Sequence, residues 1–116
     1  MAITRKVLSG KARRAKGNAW ERAVVKDLRE IFPDARRCWQ RQVDHGQPDV
    51  TAGWLWLECK VGKLPNPRAA LLQAEADCPK GHLPIAVVKD DRQRPFVTLR
   101  WDDFLDLVRE WKERSE

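Results

Sequence analysis

The hydrophobic positions change period several times along the chain, and each change predicts an element. From Asn18 onward, Trp20, Val24, Leu28 and Ile31 recur at steps of four, four and three before Pro33, the rhythm of one buried helix face. Asn18 is suited to cap that helix. Residues 35–42 (ARRCWQRQ) set Cys38 and Trp39 among Arg36, Arg37 and Arg41, which predicts an exposed or edge strand, and 43–47 read as a loop. Across 47–60 (QPDVTAGWLWLECK) a hairpin is expected, because Ala52-Gly53 can form a two-residue turn with Gly53 at positive φ. That turn would set Asp49 across from Trp56.

A second helix is signalled by Asn66 as cap, Pro67 in the first helical position and Gly81 past the end, with Ala69, Leu72 and Ala76 as its small stripe. Ile85-Ala86-Val87-Val88 and Phe96-Val97-Thr98-Leu99 read as neighbouring buried strands joined through polar residues 90–93. A last helix from about Asp102 carries Phe104, Leu107, Val108 and Trp111 on one stripe. The order is helix, three strands, helix, two strands, helix. It predicts an α/β fold in which helices flank a central mixed sheet.

At 116 residues the chain is expected to form one domain with one core. No apolar run approaches the ~18–20 residues of a membrane span, and the first residues lack the apolar stretch of a secretory signal, so a cytoplasmic protein is expected. Cys38, Cys59 and Cys78 contain no CxxC pair and leave one over, which suits a reducing compartment. With only His45 and His82 to join them, structural zinc is not expected. The six tryptophans are read mainly as core.

The formal charge of +6 is unevenly placed. Arg5, Lys6, Lys11, Arg13, Arg14 and Lys16 lie in residues 1–16 with no acid among them, and the remaining 17 basic residues balance the 17 acidic ones. The excess therefore belongs to a basic N-terminal arm, expected to be flexible, ahead of a single domain at 17–116. Such an arm is either a solvated tail or a phosphate-seeking one that releases counterions on binding.

In a strand, alternation sends Leu55, Leu57, Cys59 and Val61 to one face and Trp54, Trp56, Glu58 and Lys60 to the other. Glu58 and Lys60 then stand ~7 Å apart at the backbone, with Asp49 diagonal to Glu58 on the same face. Two carboxylates held together cost free energy unless a cation joins them, and an all-oxygen set suits a hard ion such as Mg2+. The adjacent lysine can help position or deprotonate a metal-bound water, so the constellation points to phosphodiester hydrolysis. The plainer reading is a salt-bridged Glu58–Lys60 pair on an exposed face, with Asp49 as a turn residue.

Pro48-Asp49, eight intervening residues, then Glu58-Cys59-Lys60 resembles the PD-(D/E)XK nuclease motif. Within that superfamily the short chain and element order are similar to small stand-alone nucleases of the Holliday-junction-resolvase type, phage versions included, over about residues 17–111. The resemblance implies a restriction-endonuclease-like αβββαββα core and a Mg2+-dependent DNA endonuclease, with Mn2+ able to substitute, leaving 5′-phosphate and 3′-hydroxyl ends. It implies Asp49, Glu58 and the backbone carbonyl of Cys59 as metal ligands, and Lys60 orienting the attacking water. A glutamate from the first helix is implied as a further ligand, which Glu21 matches, and a glutamine from the helix after the lysine strand, which Gln73 matches. A branched substrate cut by a homodimer is the specific expectation.

Two decoys share letters with the motif. Glu110-Trp111-Lys112 lies on a predicted helix, where residues two apart diverge, and Pro33-Asp34 ends a helix without facing an acid-x-lysine strand. Glu21, three residues after Asn18, could instead close a capping box, and Gln73 could simply be solvated. The cations expected on nucleic acid are Arg13, Arg14, Lys16, Arg37, Arg41 and Lys63, with Trp39 able to stack on an unpaired base. A non-catalytic nucleic-acid-binding module and a nuclease acting on RNA remain the alternatives.

Overall fold

In a computed structural model of the chain, residues 9–38 and 46–116 are described. They form α1 (Gly10–Arg29), β1 (Arg36–Arg37), β2 (Val50–Ala52), β3 (Leu55–Gly62), α2 (Pro67–Ala76), β4 (Leu83–Asp90), β5 (Phe96–Thr98) and α3 (Trp101–Ser115). The strands make one mixed five-stranded sheet in chain order, β1-β2-β3-β4-β5. Every neighbouring pair is antiparallel except β3 and β4, whose parallel pairing is spanned by α2. The chain is thus α/β, with the element order read from its periodicity.

Alternation along β3 builds the larger core. Leu55, Leu57 and Cys59 point to the α1 side, where they pack with Val24, Val25, Ala35, Val50, Ala52 and Ile85. Ala86 and Val88 of β4 meet Ala70 and Leu71 of α2 in a second, smaller cluster. Helices therefore cover the two faces of the sheet, each burying a stripe against apolar strand residues.

Several expectations are corrected. Helix α1 starts at Gly10 and not near Asn18: Ser9 is its cap, its hydroxyl accepting from the Ala12 amide at 3.1 Å. Lys11, Arg13, Arg14 and Lys16 therefore stand on a helix and not on a flexible arm, while Arg5 and Lys6 lie outside the described residues. The alanine-rich, basic stretch 11–19 favours helix by propensity, but its apolar stripe begins only at Trp20, so periodicity does not register it. Asn18 is consequently mid-helix, and Glu21 closes no capping box.

The hairpin turns at Gly53-Trp54, one residue later than Ala52-Gly53. The register pairs Val50 with Leu57 and Ala52 with Leu55. Continued by one residue, it sets Asp49 across from Glu58 and not from Trp56. Two long-range contacts select this turn. The Gly53 amide donates to Asp34 Oδ2 at 2.9 Å, and the Trp54 ring meets Phe32 edge-on at 5.9 Å. Gly53 has φ +54°, and a Cβ there would lie 2.7 Å from the Phe32 ring, so both the conformation and the close approach require glycine.

Helix α2 is capped by Asn66 as expected, but it ends at Ala76 well before Gly81 and buries Ala70, Leu71 and Ala74 instead of Ala69, Leu72 and Ala76. In a segment this rich in alanine and leucine several stripes are equally apolar, so spacing does not choose among them. Helix α3 buries no residue. Its polar residues Asp103, Asp106, Glu110 and Arg114, with Leu107, line a shallow hollow against Trp54, Gly81, His82 and Leu83. Trp54, Trp101 and Trp111 are exposed, so the tryptophans are not mainly core. Among the described residues no helix is long and apolar enough to cross a membrane.

Candidate functional site

The site forms at the entry to β2, beside the middle of β3 and near α1. Glu58 is the one charged residue in the buried set of the described chain, 3% exposed. Strand alternation puts it on the side opposite Leu57 and Cys59, and the parallel register sets it beside Ala86. Asp49 precedes β2, and three bonds fix its place. Its amide donates to the Leu57 carbonyl at 3.0 Å, its carbonyl accepts from the Cys38 amide at 2.9 Å, and its Oδ2 accepts from the Cys59 amide at 2.9 Å. The carboxylate of Asp49 is thereby fastened to the backbone at the centre of the Glu58-Cys59-Lys60 triplet.

The electrostatics follow from this enclosure. Burial pushes the Glu58 carboxyl up to about 8, assisted by the charge of Asp49 and a hydrogen bond to it, and only partly offset by Lys60. Glu58 Oε2 is buried with no hydrogen-bond partner. Burial and the nearby Asp49 also raise the Glu21 carboxyl, with Arg37 and Arg22 opposing. The Cys59 thiol is held well above its ordinary range by burial and then by the surrounding carboxylates, consistent with an inert core side chain.

Asp49, Glu58 and Lys60 are therefore brought together, and Glu21 borders them from α1. The exposed-salt-bridge reading of Glu58–Lys60 is overturned by the burial of Glu58. Glu21 is held by Arg37, whose Nε donates to its Oε1 at 3.3 Å while Nη2 donates to Asn18 Oδ1 at 2.8 Å. Gln73 is on the exposed side of α2, and no hydrogen bond of the described residues joins it to the carboxylates. Lys16 pairs with Asp91, and Lys63 is exposed just beyond β3. Trp39 and Arg41 lie outside the described residues.

Sequence reasoning missed the cleft that leads to these carboxylates. It encloses about 1000 Å³ and is lined by Arg14, Asn18, Glu21, Arg22, Lys26 and Arg29 of α1 with Arg36, Arg37 and Asp49 across from them. Six of these are cations. The signal was present as a polar stripe, Arg14, Asn18, Arg22, Lys26 and Arg29, at helical steps of four, four, four and three. It was hidden because the helix was begun too late.

The donor set fits a hard divalent ion in one respect and is sparse in another. A buried carboxylate oxygen without a partner, beside a second carboxylate, is the arrangement that a bound cation relieves. Among the described residues no three His, Cys, Asp or Glu side chains form a ready-made metal cluster. Two carboxylates suffice for Mg2+, which keeps several waters and takes remaining ligands from backbone or substrate oxygen. Comparison with protein-family models, curated proteins and solved structures found no match.

Proposed function

We propose that this chain is a Mg2+-dependent endonuclease that hydrolyses DNA phosphodiester bonds, with branched DNA such as a four-way junction as its preferred substrate. The observation that carries the reading is the buried Glu58 carboxyl, one oxygen of which has no hydrogen-bond partner, beside Lys60 and beside Asp49, which itself lines a cleft with six cations. Asp49, Glu58 and the Cys59 carbonyl would hold the ion, with Glu21 reaching it from α1. When bound, the ion supplies a Lewis acid for a phosphoryl oxygen and lowers the pKa of a water.

The chain's own groups divide the remaining work. Lys60 orients the attacking water and offsets the anionic phosphate. The cations of α1 and β1 hold the sugar-phosphate backbone by charge, which fixes position but reads no sequence. Arg37 keeps Glu21 extended towards Asp49, making it a positioning residue. Gln73 and Lys63 are assigned to the periphery of the substrate path.

The test is incubation of the full chain with supercoiled plasmid and a four-way junction in Mg2+ or Mn2+. Cleavage that disappears in Glu58→Ala and Lys60→Ala supports the reading, and variants that cut as well as wild type end it. The six cations of the cleft, which need no metal to attract phosphate, favour a second reading as a non-catalytic nucleic-acid-binding module. Binding that persists in EDTA, with no cleavage of DNA or RNA by wild type, would select that alternative, and cleavage of RNA alone would move the substrate class.

A further inference from the structure

The cationic cleft has the proportions of a single strand. Its α1 wall runs from Arg14 to Arg29, about 22 Å of helix at ~1.5 Å per residue. Spread over that length, a volume of about 1000 Å³ leaves a mean cross-section of roughly 45 Å², a channel about 7 Å across. A duplex, whose grooves alone are about 12 and 6 Å wide, does not enter such a channel. The cations of α1 stand across the cleft from Arg36 and Arg37 of β1, so the two walls together grip only what lies between them.

We propose that the cleft takes one unpaired strand of nucleic acid, about four nucleotides of it, with any duplex left outside. The proposal rests on the nuclease reading only for the strand's destination, the carboxylates of Asp49 and Glu58. Branched DNA supplies such a strand wherever its arms part. The scissile strand thus reaches the site already separated from its complement.

The spacing along the wall supports this. Arg14, Asn18, Arg22 and Lys26 follow one another at steps of four residues, ~6 Å along the helix axis and close to the separation of successive phosphates in an extended strand. At that interval the wall matches about four nucleotides. In a duplex the phosphates of one strand rise only ~3.4 Å per nucleotide and wind away around the axis, so a single helix wall meets few of them.

The charges are available as well. Arg29 already donates to the Ala35 carbonyl at 3.0 Å, and Arg37 is engaged with Glu21 and Asn18. Among the described residues Arg14, Arg22, Lys26 and Arg36 have no ion pair, although all four line the cleft. No aromatic side chain lines it among the described residues, so the grip is on phosphate and is independent of base sequence. Four such contacts to a single strand imply a salt slope of about 3, at ~0.7 per phosphate.

The experiment is fluorescence anisotropy in EDTA on the full chain, with a labelled mixed-sequence DNA of about 12 nucleotides offered as single strand and as blunt duplex. The single strand is expected to bind about tenfold or more tighter than the duplex, with log affinity falling against log salt at a slope of about 3. The double variant Arg22→Ala/Lys26→Ala should bring single-strand affinity down to the duplex level with unchanged circular dichroism. Single-stranded RNA of the same sequence should bind within about threefold of the DNA, since phosphate is what is held. Equal or tighter binding of the duplex, or a double variant that keeps wild-type affinity, overturns the proposal. A strong preference for either sugar overturns the phosphate grip. Binding in EDTA is independent of cleavage. A chain that cuts DNA but prefers duplex therefore loses this inference alone, and one that holds the single strand but cuts nothing loses the nuclease reading alone.

Discussion

The most exacting prediction concerns Glu58→Gln in the protein without metal. In the folded chain the Glu58 carboxyl is raised from 4.5 to about 8, chiefly by burial and then by Asp49. The sign follows from linkage. A folded-state pKa above the unfolded one favours the folded protein fully below about pH 4.5, and that advantage is lost as pH rises through about 8. At ~1.4 kcal/mol per pH unit, the whole shift corresponds to an upper bound of roughly 5 kcal/mol. A glutamine amide can donate to Asp49 as the protonated acid does, without the buried charge. Urea unfolding at about pH 9 should therefore find Glu58→Gln more stable than wild type by about 2–5 kcal/mol, with the gap closing towards about pH 5. Mg2+ should raise the stability of wild type and leave the variant nearly unchanged. A variant less stable than wild type at about pH 9, or a wild-type profile flat between about pH 5 and 8, would refute the claim that burial and Asp49 outweigh Lys60 at this carboxyl.

Three further outcomes follow from the same geometry. Gly53→Ala should lose about 1–3 kcal/mol in thermal or urea unfolding, because its Cβ meets the Phe32 ring at 2.7 Å and the backbone stands at φ +54°. Lys26→Ala and Arg36→Ala should each weaken DNA binding across all sequences and lower the slope of log affinity against log salt by about 1, as measured by fluorescence anisotropy without divalent metal. Ser9→Ala should cost about 1 kcal/mol of helix stability, read as faster amide exchange over residues 10–16.

Local chemistry announced much of this molecule. The triplet Glu58-Cys59-Lys60 sits on a strand because Leu55, Leu57 and Cys59 alternate around it, and the Asn66-Pro67 cap starts α2 where it was expected. What escaped depended on partners distant in sequence. The hairpin register differs because Phe32 and Asp34, in the segment after α1, select Gly53-Trp54 as the turn, and no pattern within 47–60 contains that information. The move improved the site, bringing Asp49 directly across from Glu58. Helix α1 was begun too late because a solvated polar stripe lacks the apolar rhythm that marks a helix. The orientation of α3 could not be read either, since amphipathicity says which residues share a face and not what that face meets.

The parallel pairing of β3 with β4 has a last consequence. It sets Glu58 beside Ala86, which is wholly buried against α2. Because side chains at paired positions emerge on the same face, a residue larger than alanine at 86 would project into the space alongside the carboxylate. The room left for whatever neutralises Glu58 is thus gauged by a single methyl group, supplied from a strand that contributes no donor atom of its own.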